Sequence, residues 1–179
     1  VETVLRTYNT LIIACNASNQ PREALRVFQR LLAEGHQPSV TTYNALISAY
    51  GKAGQLDMAL EVYGQMVRQR LACTVITYSS LISACERVGD LDSALKVYEK
   101  MQQDGCRPNT VTYNSLITAC APGGHWEKAQ DLFDKMPRNR CSPDVVTYTS
   151  LINVYEKGGQ WLRALAAFRR MGVQGCRPD

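Results

Sequence analysis

One tyrosine recurs at a fixed step: Tyr8, Tyr43, Tyr78, Tyr113 and Tyr148 are each 35 residues apart. The same step links Ala24, Ala59, Ala94, Ala129 and Ala164, and again Leu31, Met66, Met101, Met136 and Met171. Three tracks share this register without a single insertion, so one structural unit is written five times in 179 residues. Repetition at 20 to 50 residues constrains the fold more than any local motif, because each unit must bury its apolar face against its neighbours.

Inside one unit, Tyr78, Leu81, Ile82 and Cys85 fall at i, i+3, i+4 and i+7, the apolar face of an α-helix. Leu91, Ala94, Leu95, Tyr98 and Met101 repeat that spacing in a second segment. Each unit is therefore predicted to be two helices, with the small Ala track allowing close helix approach. The Thr before each Tyr (Thr7, Thr42, Thr77, Thr112 and Thr147) is predicted to cap the first helix with its hydroxyl. Asn19, Gly54, Gly89, Gly124 and Gly159 stand between the helices and suit a left-handed closing turn. Pro38, Pro108, Pro143 and Pro178 follow the second helix and stop it, with Cys73 at the remaining position. The predicted fold class is all-α, a superhelical solenoid of five helix-turn-helix repeats.

Seven cysteines invite a metal or disulfide reading, but the chain holds no C-x-x-C pair and only two histidines, His36 and His125. Repetition explains them better. Cys15, Cys85 and Cys120 occupy one position of the unit, and Cys106, Cys141 and Cys176 another. Such cysteines behave as small hydrophobes in a reducing compartment. No metal or other cofactor is expected. No apolar run approaches the ~20 residues of a membrane-spanning helix. The net charge of +4 permits a polyanionic partner without demanding one.

A 35-residue unit reading T-Y-N-x-L-I, a Gly turn, A-L-x-V-Y/F-x-x-M and then P-D or P-N closely resembles the pentatricopeptide repeat family, P class. The tetratricopeptide repeat, a near relative, fits less well, because its usual period is 34 and its W-x-x-L-G-x-x-Y signature is missing. The resemblance covers residues 5–179 as units 5–39, 40–74, 75–109, 110–144 and 145–179, with residues 1–4 expected to be the tail of a preceding element. With no polar capping helix after the fifth unit, the expectation is part of a longer array.

What the resemblance implies is a right-handed superhelix that binds single-stranded RNA, one base per repeat. In the family, the fifth and last residues of each unit choose the base. Here those pairs are Asn9 with Ser39, Asn44 with Thr74, Ser79 with Asn109, Asn114 with Asp144, and Thr149 with Asp179. By the family's code they read 5′-C-Y-A-U-G-3′, the second unit being an unspecified pyrimidine. A short Ser or Thr leaves room for a purine and the longer Asn suits a pyrimidine. Asn can donate and accept, whereas Asp only accepts. The same residue types also suit helix capping, so Asp144 and Asp179 admit that role as well.

The resemblance assigns base stacking to the second residue of each unit. Ile76, Val111 and Val146 fit an apolar wedge, Thr41 fits less well, and Arg6 fits either guanidinium stacking or plain solvation. Phosphate contact falls to Lys52, Arg87 and Lys157, while Ala17 and Pro122 interrupt that track.

Nothing in the sequence supports an enzyme: the histidines lack a nucleophile partner and no Gly-rich phosphate loop follows a strand. The expected function is an RNA-binding module acting in transcript stabilisation, processing or translation. The alternative is a protein-interaction or ribosome-associated scaffold that reads no bases, and protein partners could also use flanking regions or the convex face. By resemblance the location is an organelle, chloroplast or mitochondrion.

Overall fold

The computed structural model describes residues 2–174, and every regular element among them is an α-helix. In chain order these are α1 (Glu2–Ala17), α2 (Pro21–Ala33), α3 (Val40–Lys52), α4 (Leu56–Arg68), α5 (Val75–Val88), α6 (Leu91–Gln103), α7 (Thr110–Ala119), α8 (Trp126–Arg138), α9 (Val145–Lys157) and α10 (Trp161–Val173). The helices fall into two compact units that divide between Val88 and Gly89. In the first, α3 packs on α1, α2, α4 and α5; in the second, α7 packs on α6, α8 and α9, and α9 also on α8 and α10. Cys176, Pro178 and Asp179 lie outside the described residues.

Packing accounts for the repeated tracks. Tyr43, Tyr78, Tyr113 and Tyr148 are buried, as are Ala24, Ala59, Ala94 and Ala129 and the whole Leu31-to-Met171 track. Ala164 is half-buried. Each of these four tyrosines meets an aromatic ring from the second helix before it: Phe28 with Tyr43 at 5.7 Å, Tyr63 with Tyr78 at 6.2 Å, Tyr98 with Tyr113 at 6.0 Å and Phe133 with Tyr148 at 5.5 Å. Tilted and edge-on pairs of this kind add about 0.5–1.5 kcal/mol each beyond the area they bury. Burial also pushes the Cys120 thiol up to about 11, which keeps it protonated and inert, in keeping with a packing role.

Both helix ends in a unit close by the same device. After the first helix, Asn19, Gly54, Gly124 and Gly159 take positive φ, and the next amide reaches back five residues, as in Gln55 N–H to the Tyr50 carbonyl at 2.9 Å. A second set of left-handed turns falls at Gly35, Arg70, Gly105 and Arg140 after the second helix, sealed by bonds such as Cys106 N–H to the Met101 carbonyl at 3.0 Å. The sequence hides this second track because two of its members are arginine.

The helix starts correct one expectation. Thr42, Thr112 and Thr147 do not cap the first helices; they sit three residues inside the caps Ser39, Asn109 and Asp144. In each case the cap side chain accepts from the Thr backbone N–H, and the Thr hydroxyl accepts from the cap's own N–H. Thr74 and Thr77 exchange the same two bonds. This is a reciprocal capping box in which Thr takes the place usually held by Glu or Gln. A threonine hydroxyl is short enough to do this while remaining in the core.

Candidate RNA-reading surface

The last residue of a 35-residue unit is thus the cap of the next first helix, and the fifth residue lies on the first helix of its own unit. In three of the pairs folding brings the two side chains together. Asn114 donates from Nδ2 to Asp144 Oδ1 at 3.1 Å, and Asn44 donates from Nδ2 to Thr74 Oγ1 at 3.3 Å. Asn9 and Ser39 are joined through Thr42, whose hydroxyl lies 2.6 Å from Asn9 Oδ1 and 3.0 Å from Ser39 Oγ. Two paired residues therefore become one polar face, although about 30 residues separate them in sequence.

Behind each fifth-position Asn stands the threonine of the following capping box. Thr77 donates to Asn44 Oδ1 at 2.7 Å and Thr147 donates to Asn114 Oδ1 at 2.6 Å. Ser79 and Thr149 behave differently, turning their hydroxyls back to their own helix, onto the Ile76 carbonyl at 3.3 Å and the Val145 carbonyl at 2.8 Å. Asn109 receives both the Thr112 backbone N–H and the Thr112 hydroxyl on Oδ1, each at 2.9 Å. Asp179, the expected partner of Thr149, lies outside the described residues.

Electrostatics single out Asp144. Its partial burial alone would push the carboxyl up, but hydrogen bonds from the Thr147 backbone N–H and from Asn114 Nδ2, with the Thr147 hydroxyl close by, outweigh this and hold it below the usual carboxylate value. The group is ionised at neutral pH and can only accept.

The second residues stand one helical turn before the fifth ones, at i and i+3 on the same side of the helix. Ile76, Val111 and Val146 are 63%, 56% and 56% exposed, a row of large apolar side chains left in solvent. Arg6 and Thr41 are exposed at the same position. Lys52, Arg87 and Lys157 are not brought to these pairs. They occupy the last turn of α3, α5 and α9, eight residues beyond the fifth position, or about 12 Å along the axis. All three are exposed, and Lys157 lies 3.3 Å from Glu156. There they also complement the negative end of the helix dipole.

Among the described residues no cluster of His, Cys, Asp or Glu could hold a metal ion, and no helix is long and apolar enough to cross a membrane.

The family models agree with this architecture. The pentatricopeptide repeat domain matches residues 1–53, 34–86 and 61–123, the PPR repeat family matches 110–157, and the PPR repeat matches 146–176. The chain belongs to the pentatricopeptide repeat family. Among solved structures it resembles the pentatricopeptide repeat protein PPR10 in complex with an 18-nt psaJ RNA element, at 26% identity over 98% of this chain, with a TM-score of 0.86. PPR10 from maize matches over 100% of this chain at 26% identity, with a TM-score of 0.82. The PPR domain of Arabidopsis thaliana protein-only RNase P 1, in complex with tRNA, shares the fold at 17% identity, covering 94% of this chain and 89% of that domain, with a TM-score of 0.79. The chain spans about a quarter of the length of the PPR10 chains it matches. No curated protein sequence matches it.

Proposed function

We propose that this chain binds single-stranded RNA without catalysing a reaction, each 35-residue unit addressing one base through its fifth and last residues. Support comes from membership of the family and from likeness, above a quarter identity, to a protein crystallised on RNA. The observation that carries the reading is the joined Asn114–Asp144 pair. Asn114 keeps a second Nδ2 proton and Asp144 keeps its other oxygen, giving one donor and one acceptor side by side. Uracil complements that pattern, with a carbonyl to accept and N3–H to donate; cytosine, whose N3 is an acceptor, opposes the carboxylate.

The exposed Ile76, Val111 and Val146 would separate successive bases by packing on their faces, and Arg6 or Thr41 would do so more weakly. Lys52, Arg87 and Lys157 would meet phosphates where the backbone passes the far end of each first helix. The resulting word is 5′-CYAUG-3′, read with Asn9–Ser39 on C, Asn44–Thr74 on either pyrimidine, Ser79–Asn109 on A and Thr149–Asp179 on G. The folded-back hydroxyls of Ser79 and Thr149 fit this assignment by leaving room for a purine. A role in stabilising, processing or translating an organellar transcript follows by family analogy.

Fluorescence anisotropy with RNA containing CUAUG, a permuted RNA and the same word as DNA, at two salt concentrations, tests the reading. Preference for CUAUG with affinity falling as salt rises is the expected result. Equal binding to every RNA, or none by the folded chain, would favour a scaffold that reads no bases.

A further inference from the structure

Thr42, Thr77, Thr112 and Thr147 are each 0% exposed. A fully buried hydroxyl must be satisfied on both sides, and these are. Thr147 Oγ1 accepts from the Asp144 backbone N–H at 3.1 Å, so its single proton must go elsewhere. Two acceptors lie in reach: Asn114 Oδ1 at 2.6 Å and Asp144 Oδ1 at 2.9 Å. The shorter contact is to Asn114. Thr42 makes the same choice, lying 2.6 Å from Asn9 Oδ1 and 3.0 Å from Ser39 Oγ. Thr77 repeats it, at 2.7 Å from Asn44 Oδ1 against 3.3 Å from Thr74 Oγ1.

The consequence concerns which end of the asparagine is offered outward. An Asn side chain is nearly symmetric in shape, and rotating its amide by half a turn exchanges a carbonyl oxygen for an NH2 group. With a hydroxyl proton pointed at it, only the oxygen can face the threonine, because the NH2 group would present a donor to a donor. The oxygen is held inward and Nδ2 faces the cap residue and the open side. Resting on the base-reading proposal above, we infer that the buried threonine is a positioning residue for specificity: it fixes the amide polarity of the preceding unit's asparagine, so each such unit is completed by the one that follows it. Thr112 points its hydroxyl at Asn109 Oδ1 instead and so polarises a cap amide.

The test uses the whole chain with Thr147→Val, which keeps the shape and deletes the hydroxyl, and Thr147→Ser, which restores it. The first readout needs no RNA: side-chain NMR order of the Asn114 NH2 group. It should drop in T147V and stay at the wild-type level in T147S. The second is the affinity ratio for CUAUG over CUACG, which should fall about tenfold in T147V, one hydrogen bond's worth of discrimination, and recover in T147S. T147V also loses half of a capping box, so its melting temperature will fall, but a purely structural role would lower affinity for both RNAs alike and leave the ratio intact. That result, or an Asn114 amide as ordered in T147V as in wild type, overturns the inference. A wild-type chain that does not distinguish the two RNAs overturns base reading itself, and the amide measurement then decides the positioning role alone.

Discussion

Asn44 with Thr74 and Asn114 with Asp144 are built on one frame, a threonine hydroxyl behind an asparagine amide, yet they end in different chemistry. Asp144 is an acceptor-only carboxylate held ionised by the hydrogen bonds around it. Thr74 is a neutral hydroxyl that accepts from Asn44 Nδ2 and the Thr77 N–H and still carries a proton of its own, so unlike a carboxylate it can also donate. The frames also differ in cover: Asn44 is 8% exposed, whereas Asn114 is half-buried. A shared scaffold can thus hold one selective pair and one permissive pair, and the cap residue makes the difference.

The largest effect should come from a shared threonine, Thr77. Thr77→Val leaves Asn44 Oδ1 without its donor in a buried setting and should cost about 1–3 kcal/mol in urea denaturation. Thr147→Val should lie at the low end of that range, because water can reach Asn114. Equal losses would show that cover around the two amides is not what separates them. Next come the caps. Asp144→Ala should cost about 1–2 kcal/mol, through lost capping and lost charge at the start of α9, and Thr74→Ala about 0.5–1 kcal/mol. The reverse order would break the comparison.

A smaller effect distinguishes the two caps by pH. The folded-state pKa of Asp144 lies below its ordinary unfolded value, so its contribution to stability is fully present above that ordinary value, near 4, and is lost as pH falls through the depressed one. The stability gap between wild type and Asp144→Asn should therefore shrink in acid, while the gap for Thr74→Ala should change little over the same range.

Much of the fold was legible in the sequence because packing leaves few choices. A buried ring-pairing position takes an aromatic residue and a close crossing takes Ala or Gly, and such demands return every 35 residues. Gly51 is a local case: a Cβ there would stand 2.9 Å from the Ala84 Cβ, so α3 and α5 meet only over a glycine. The misread element was the helix start. Thr is a familiar cap, and the S-x-x-T, N-x-x-T and D-x-x-T spacings of Ser39–Thr42, Asn109–Thr112 and Asp144–Thr147 carry the correct signal only if Thr is allowed at the inner end of a capping box. The hidden turns at Arg70 and Arg140 have a similar cause, since a non-glycine residue at positive φ gives no compositional cue. The pairing of fifth and last residues came from family resemblance. Their physical joining needed the fold, because nothing local in the sequence states that residues 30 apart share a hydrogen bond.

Changing the cap alone tests the central claim most directly. Asp144→Asn keeps the cap, the frame and the size of the side chain while replacing an acceptor-only group with one that can also donate. Anisotropy titrations of wild type and D144N against CUAUG and CUACG should show wild type favouring the first RNA and D144N shifting toward the second, by about tenfold in the ratio. An unchanged ratio in a folded D144N chain that still binds RNA would contradict the claim that this pair reads a base.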